Sequence, residues 1–215
     1  MHENDTKQFF EKYAGDFDDL YGTQKSITNK IINTIFRRSM KLRFDKTFEE
    51  CSPLENKTVI DIGCGPGYYA ISFALQGVNS VLGIDFSRNM VSLAEKKASR
   101  AGVDDKCTFV ADDFSSRKFN ESFDFAVLMG VMDYIEEPTA FLKKVFSITN
   151  EKVVISFPRD GGLLAWQRKM RYRNRCPLFM YNEYDIREFF KTTGLPDPEF
   201  NHIGRDIFVT VEQEK

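Results

Sequence analysis

Residues 59–70 read Val-Ile-Asp-Ile-Gly-Cys-Gly-Pro-Gly-Tyr-Tyr-Ala, a hydrophobic strand that runs into three glycines and then into a helical stretch. Glycines at 63, 65 and 67 let the backbone turn sharply and let a ligand approach without Cβ atoms in the way. A nicotinamide-dinucleotide turn, G-x-G-x-x-G, needs glycine at position 68, where this chain has Tyr68. The segment therefore predicts a turn that either binds a different nucleoside ligand or is purely structural.

The pattern of strand, turn and helix repeats from residue 58 to the C-terminus. Short apolar runs predict five strands that are covered on both faces: Thr58–Ile62, Ser80–Ile84, Cys107–Ala111, Phe123–Met129 and Lys152–Phe157. Helical stretches lie at Tyr68–Leu75, Asn89–Arg100, Pro138–Ile148 and Asp185–Thr193. Two strands without an intervening helix close the chain, Glu199–Ile203 and Ile207–Glu212. This order predicts a doubly wound, Rossmann-like α/β sheet, mostly parallel, with an antiparallel C-terminal edge.

Residues 1–57 differ in character from this core. Asp5–Tyr21 mixes acids with aromatic residues, and the stretch that follows is basic and amphipathic, with apolar residues at helical spacing. We interpret the region as two helices that either pack on the core or form a lid over a site. The predicted division is a helical lid or cap at 1–57 and a core at 58–215.

Acidic side chains end three successive strands of the predicted core. Asp61 belongs to the first strand, Asp85 ends the second and is followed by Phe86, and Asp112 ends the third. A carboxylate at the tip of the second strand can accept hydrogen bonds from both ribose hydroxyls, and an adjacent aromatic ring can face a purine. The three acids predict an acidic crevice, which suits an adenosine with cationic groups better than a pyrophosphate.

These motifs resemble, in order and spacing, those of class I S-adenosylmethionine-dependent methyltransferases. They are D-I-G-C-G-P-G at 61–67, G-I-D-F-S at 83–87, A-D-D-F at 111–114 and F-D-F-A-V-L-M-G-V-M-D-Y-I-E-E-P at 123–138. The segment F-F-E-K-Y-A-G-D-F-D-D-L-Y at 9–21 is similar to the N-terminal part of small-molecule methyltransferases of the ubiquinone and Mg-protoporphyrin type. The resemblance implies a seven-stranded sheet, S-adenosylmethionine as cofactor and S-adenosylhomocysteine as product.

The resemblance also implies a role for individual residues around the cofactor. The methionine end would contact Gly63, Cys64, Gly65, Met129 and Gly130, with Asp61 near the amino group or, alternatively, orienting the amides of the glycine loop. The adenosine end would contact Asp85, Phe86, Met90, Asp112 and the backbone of Asp113 and Phe114. Tyr13 would close the pocket from above. Cys64 also fits as a small buried residue and is not predicted to be a nucleophile.

The methyl acceptor is predicted to dock beyond the fourth strand. Asp133 and Tyr134 follow that strand, and Tyr21 could reach the pocket from the lid; these three are the candidate catalytic residues, although Asp133 could instead cap a helix. Five cations lie within residues 168–175, and the four arginines are candidate substrate-binding residues for a carboxylate or phosphate: Arg168, Arg171, Arg173 and Arg175. The alternatives are a solvated helix face and an RNA-binding stripe.

Composition narrows the classes of function. The 215 residues suit one domain with an appendage, and the formal charge of −2 argues against a general nucleic-acid coat. Only 2 histidines argue against a His-based metal centre, and the 4 cysteines have neither disulfide-framework nor zinc-site spacing, so no metal is expected. The polar N-terminus and the short apolar runs predict no signal peptide and no membrane span, hence a cytoplasmic protein.

The primary hypothesis is a methyltransferase that acts on a small, possibly anionic, molecule. Methyl transfer from a sulfonium is a direct displacement in which a general base is optional, so the shortage of histidine is no obstacle. The alternatives are a non-catalytic S-adenosylmethionine-binding subunit or sensor and, with less support, an RNA methyltransferase. Nucleobase amino-methyltransferases typically have an N-P-P-Y-like sequence after the fourth strand, where this chain has Gly-Val-Met-Asp at 130–133.

Overall fold

The computed structural model describes residues 27–172 and 177–213, and the side chains of residues 27–37, 163, 164, 171 and 172 are not described. The first of the two predicted N-terminal helices lies outside the described residues, as do Tyr13, Tyr21, Arg173 and Arg175. Arg171 lies within a helix whose backbone is described, without its side chain. The roles predicted for these five residues stay predictions.

The elements alternate as the sequence predicts. The helices are α1 (Ile27–Glu50), α2 (Tyr68–Leu75), α3 (Arg88–Ala101), α4 (Pro138–Ser147), α5 (Gly162–Tyr172) and α6 (Glu183–Thr193). The strands are β1 (Thr58–Ile62), β2 (Ser80–Asp85), β3 (Cys107–Ala111), β4 (Phe123–Met129), β5 (Thr149–Pro158), β6 (Glu199–Ile203) and β7 (Asp206–Glu212), and a short 3-10 helix spans Met132–Tyr134.

The seven strands form one sheet in the order β3-β2-β1-β4-β5-β7-β6. Strands β1 to β5 pair in parallel, whereas β7 pairs antiparallel with both β5 and β6. The predicted doubly wound, mostly parallel sheet with an antiparallel C-terminal edge is therefore confirmed. The strand order reverses at β1 and β4, and in such sheets ligands bind at the carboxyl ends of the strands beside this reversal.

Helices on both faces of the sheet explain why the strands are continuously apolar. Val59 and Ile60 are neighbours on β1 with no solvent exposure, and their side chains belong to two separate core clusters on opposite faces. Phe157 and Phe190 fill the first cluster, and Phe73 fills the second. Each fully buried side chain of this size contributes about 1.5–3 kcal/mol, so the sheet is a rigid base for the residues at its rim.

Two element boundaries differ from the predicted ones by more than one residue, for local reasons. Strand β5 begins three residues earlier than predicted, at Thr149, because its first residues continue the pairing with β4 although their side chains are polar. Helix α6 begins at Glu183 because Asn182 and Asp185 form a capping box, in which each side chain accepts a hydrogen bond from the other residue's backbone amide. The structure also adds α5 to the helices that the alternating pattern predicts.

Candidate functional site

A cavity of about 610 Å³ opens at the carboxyl ends of β1, β2 and β4. The glycine loop and the tips of the strands form its floor, and residues of α1 and α5 form part of its wall. The predicted site residues that line it are Asp61, Gly63, Cys64, Gly65, Asp85, Phe86, Met90, Met129, Gly130, Asp133, Tyr134 and Arg168. The structure thus brings together most of the described cofactor candidates and three of the acceptor-side candidates.

Asp85 connects the tip of β2 to the glycine loop. One of its carboxylate oxygens accepts a hydrogen bond from the Gly65 amide at 2.8 Å, and the other accepts one from the Ser87 amide at 2.9 Å. The hydroxyl of Ser87 in turn accepts from the Met90 amide and caps α3. Asp85 therefore fixes the loop in its open turn and places a carboxylate at the cavity, which is what a ribose-binding acid requires.

Asp61 is buried beneath the same loop. Its carboxylate accepts a hydrogen bond from the Ala70 amide at 3.1 Å and so satisfies one of the free N–H groups in the first turn of α2. Burial is the main reason that the pKa of Asp61 is raised to about 7; the nearby Asp85 raises it further, and the Ala70 amide opposes the shift. Asp61 thus holds the helix that follows the loop, and its predicted contact with the cofactor's amino group stays a prediction.

Replacing Asp61 with asparagine is expected to stabilise the ligand-free protein at alkaline pH. The unfolded chain loses the proton of Asp61 near its ordinary pKa of 3.8, whereas the folded protein holds it until about pH 7. Between these values, rising pH favours the unfolded state, by on the order of 4 kcal/mol in total. The variant keeps an oxygen for the Ala70 amide but lacks this slope. Urea denaturation should show a larger gain of the variant over the wild type at pH 8 than at pH 5; equal differences at both values would contradict the assignment.

The predicted readers of the adenine edge lie outside the cavity lining. The carboxylate of Asp112 contacts Arg117 at 3.0 Å, and that of Asp113 accepts from the amides of the turn that follows it. The Phe114 side chain is buried against Phe119 in the core. The prediction for Asp113 and Phe114 concerns their backbone, which these side-chain contacts do not address.

The acceptor-side candidates form a buried ionic cluster. The guanidinium of Arg168 contacts the carboxylate of Asp133 and donates to Asp206 at 2.9 Å, and both Arg168 and Asp133 are almost fully buried. Burial raises the pKa of Asp133, and the charge of Arg168 opposes that shift. Asp133 lies within the 3-10 helix after β4, so it does not begin a helix as a cap would.

The structure gives Arg168 partners that the sequence did not predict, and its substrate-binding role stays a prediction. The sequence places this residue in a basic stretch that presents free cations to an anionic acceptor. Its charge is instead compensated by two carboxylates inside the wall of the cavity. Lys169 is half exposed and pairs with Asp160. Any surplus positive charge in this stretch therefore comes from the arginines whose side chains are outside the described part of the chain.

Sequence reasoning missed three residues next to this cluster. Arg43 of α1 donates to Asp206 at 3.1 Å and to the hydroxyl of Ser156 at 3.4 Å. Ser156 also accepts from the Gly130 amide at 2.9 Å, at the end of β4. Arg43 looked like one more cation of a basic surface helix, and Asp206 lay just outside the predicted last strand. Only the pairing of β5 with β7, which places Ser156 opposite Phe208, brings these elements together.

Three general findings complete the site. Burial raises the pKa of the Cys64 thiol well above its ordinary value, so this cysteine is not poised as a nucleophile. Among residues 27–172 and 177–213, no group of histidine, cysteine, aspartate and glutamate is arranged to hold a metal ion. Within the same residues, no helix combines the length and the apolar character needed to cross a bilayer.

A family model described as a methyltransferase domain matches residues 53–175 of the chain. Two curated relatives differ in their acceptors. A tRNA U34 carboxymethyltransferase of Vibrio parahaemolyticus is 29% identical over 86% of this chain and 57% of its own length. A ubiquinone biosynthesis O-methyltransferase of Ralstonia nicotianae is 31% identical over 47% of this chain and 42% of its own length. The chain thus spans about half the length of these relatives.

A solved structure with a similar fold covers nearly the whole chain. It is the magnesium protoporphyrin IX methyltransferase of Synechocystis PCC 6803 with bound S-adenosylhomocysteine, which aligns over 97% of both chains with a TM-score of 0.74 and 20% sequence identity. The same enzyme has also been solved with S-adenosylmethionine. The cofactor predicted from the sequence is therefore the one that these similar structures contain.

Proposed function

Since the chain belongs to the methyltransferase domain family, we propose that it transfers the methyl group of S-adenosylmethionine to a small molecule bound in the cavity. The observation that carries this proposal is the shared cavity. The acids and glycines that suit the cofactor line it together with a second set of polar residues, Asp133, Tyr134 and Arg168. A binding module for the cofactor alone does not need that second set.

The residues of the cavity fit the cofactor. Asp85 offers carboxylate oxygens where ribose hydroxyls would lie, and Phe86 and Met90 offer apolar surface for the adenine. Cys64, Asp61 and Gly63 surround the space for the methionine end. Asp61 and Asp85 are acidic and near each other, so bound positive charge relieves their mutual repulsion. When bound, S-adenosylmethionine supplies a methyl group that is already activated by the positive sulfur.

The protein's own contribution is to position the acceptor and, where needed, to remove its proton. Asp133 uses one carboxylate oxygen for Arg168 and lines the cavity together with Tyr134. Its carboxylate therefore lies where it can accept a hydrogen bond from a hydroxyl or amine of the acceptor. Burial raises the pKa of Asp133, which makes the carboxylate a better proton acceptor than an exposed aspartate.

A small acceptor fits the cavity better than a folded RNA. Beside its charged residues, the cavity is lined by apolar and aromatic side chains that include Met40, Phe44, Val131 and Tyr134. Such walls recognise a compact molecule and offer few contacts to a phosphate backbone. The predicted anionic character of the acceptor now depends on Arg171, Arg173 and Arg175, because Arg168 is compensated.

We propose that residues 1–57 serve as a lid. Helix α1 is the part of this segment that the structure describes, and its residues Met40, Arg43 and Phe44 line the cavity. Phe44 also packs on Tyr69 beside the glycine loop. A helix that contacts both the cofactor loop and the acceptor end is placed to exclude water from the transfer.

An RNA acceptor is the second candidate. The relative from Vibrio parahaemolyticus is named for its action on tRNA. Residues 168–175 contain five cations and no acid, and of these Arg171, Arg173 and Arg175 could contact phosphates. This candidate predicts that the pure protein binds tRNA, with an affinity that falls steeply as salt is raised.

The pure protein, given S-adenosylmethionine with a labelled methyl group and a metabolite extract, is expected to transfer label to a compound of low molecular mass. A parallel reaction with total tRNA is expected to transfer none. Label only in tRNA would establish the second candidate instead. Binding of S-adenosylhomocysteine by calorimetry, without transfer to either fraction, would identify a non-catalytic binding subunit.

The variant Asp133→Asn separates the role of the acceptor end from that of the cofactor end. It should bind S-adenosylhomocysteine like the wild type. Its rate of methyl transfer should fall at least tenfold, because the loss of a general base typically lowers a rate by about 10²–10⁴-fold. Asp160→Asn is the matched control, because Asp160 is an exposed partner of Lys169 away from the cavity. Unchanged transfer by Asp133→Asn would remove this residue from the reaction.

A further inference from the structure

Four charged side chains alternate in a buried chain beside the acceptor end of the cavity. Arg43 of α1 contacts Asp206 of β7, Asp206 contacts Arg168 of α5, and Arg168 contacts Asp133 after β4. The four side chains are between 5% and 12% exposed. Two cations and two anions give the chain no net charge, which is the condition under which buried ions are tolerated.

Asp206 is the branching point of this chain. One of its oxygens accepts from Arg43 and the other from Arg168, so both of its oxygens face a guanidinium. Arg168 similarly divides its two terminal nitrogens between Asp206 and Asp133. Asp133 is one end of the chain and lines the cavity, as Arg43 and Arg168 also do. Each link is thus fixed by the one before it.

Helix α1 is seated on the β6–β7 hairpin at a second point as well. Gly204 lies in the turn of the hairpin with a positive φ of 60°, and a Cβ at this position would clash with the hydroxyl oxygen of Ser39. The helix and the turn are therefore in direct contact one helical turn away from Arg43. The seat of α1 consists of this contact and of the ion pair with Asp206.

We propose that Asp206 is a positioning residue that holds Arg168 against Asp133 and, through Arg43, ties the seat of α1 to the acceptor end of the cavity. The proposal rests on the proposed role of Asp133 in methyl transfer. Asp206 itself is turned toward the two arginines and does not line the cavity. The position of helix α1 and the orientation of the Asp133 carboxylate are thus coupled.

Removing the charge of Asp206 and removing the charge of Arg43 are expected to shift the pKa of Asp133 in opposite directions. Without the negative charge of Asp206, Arg168 has only Asp133 to neutralise it, so the pKa of Asp133 falls. Without the positive charge of Arg43, Asp206 is less compensated and competes for Arg168, so the pKa of Asp133 rises. The other groups that face Asp133 or its partners include Arg205, Tyr134 and Tyr181, and Tyr69, which contacts Arg43; both variants leave these residues in place.

The test is an NMR titration of the full-length protein with 13C-labelled aspartate carboxyl groups, in which the signal of Asp133 is identified by its loss in Asp133→Asn. Asp206→Asn is expected to shift its titration midpoint downward, and Arg43→Met to shift it upward. Matched controls are Asp160→Asn and Lys169→Met, which remove the same two charges from an exposed pair on the neighbouring surface and should leave the midpoint unchanged.

A purely structural role predicts a different result. If the two variants only loosened the wall, both would expose Asp133 to water and shift its midpoint downward, and the proposal would fail. If Asp206→Asn does not fold, Arg43→Met alone tests the proposal. An unshifted or lowered midpoint of Asp133 in Arg43→Met overturns the proposal. Recovery of the wild-type midpoint in Arg43→Lys supports it. Calorimetry with S-adenosylhomocysteine on the same samples keeps the two hypotheses apart, because the proposed function requires that binding whatever the midpoints show.

Discussion

Replacing Asp85 with alanine is expected to weaken the binding of S-adenosylhomocysteine by about 100-fold or more. The carboxylate accepts hydrogen bonds from the amides of Gly65 and Ser87 and is the proposed partner of the ribose hydroxyls. A hydrogen bond to a charged group contributes about 1.5–3 kcal/mol, and about 1.4 kcal/mol corresponds to a factor of ten in affinity. The loss of the ribose contacts and the loosening of the glycine loop therefore add up to two or more factors of ten.

Isothermal titration calorimetry measures this loss directly, and two further variants show its origin. Asp104→Ala removes an exposed carboxylate in the turn after α3 and should bind like the wild type. Asp85→Asn keeps one acceptor oxygen for an amide but loses the charge. Its affinity should therefore lie between those of Asp85→Ala and Asp104→Ala. If Asp85→Ala binds S-adenosylhomocysteine as tightly as the wild type, the cofactor does not occupy the predicted crevice.

The fold of the core could be predicted from the sequence because its signals are local. Strands covered on both faces have to be short apolar runs, and glycines end the segments between them, as Gly102 ends α3 and Gly194 ends α6. The closing pair of strands without a helix between them indicated the antiparallel edge. The methyltransferase family was identified from four motifs in order, and the match over residues 53–175 confirms it.

The cofactor half of the site could be predicted for the same reason. Parallel strands place their carboxyl ends at one edge, so residues that follow successive strands meet without any knowledge of side-chain packing. Asp61, Asp85 and Gly63 all line the cavity on this account. Asp112 follows the outermost strand of the three and lies outside the lining, since the cavity lies nearer to the reversal of strand order between β1 and β4.

The acceptor half could not be predicted, because it depends on contacts between distant segments. Arg43 and Asp206 are 163 positions apart, and Arg168 and Asp133 are 35 apart. The basic composition of 168–175 suggested solvent or an anionic ligand, whereas burial decides that Arg168 requires carboxylate partners of its own. A buried ion pair leaves no periodicity in a sequence, so only the packing of α1 and α5 against the sheet identifies it.

Replacing Gly67 with alanine is expected to lower the free energy of unfolding by about 2–5 kcal/mol. Gly67 ends the glycine loop with a φ of 79°, a left-handed conformation that costs an L-residue about 1–2 kcal/mol. A Cβ there would also lie 2.9 Å from the Cβ of Ala94 and 3.1 Å from the ring of Phe109. Because both neighbours are buried in the core, they cannot move aside, and overpacking of this kind costs about another 1–3 kcal/mol.

Gly102→Ala separates the two contributions to this loss. Gly102 has a φ of 68° but no atom within 4 Å of the position where its Cβ would lie, so its substitution carries only the backbone cost. Both substitutions also change the unfolded chain in the same way, and that contribution cancels in the comparison. Urea denaturation should therefore show Gly67→Ala losing about 1–3 kcal/mol more than Gly102→Ala. Equal losses would mean that the packing of α2 and α3 around Gly67 leaves room for a Cβ. Glycine would then be needed at this position for the turn alone.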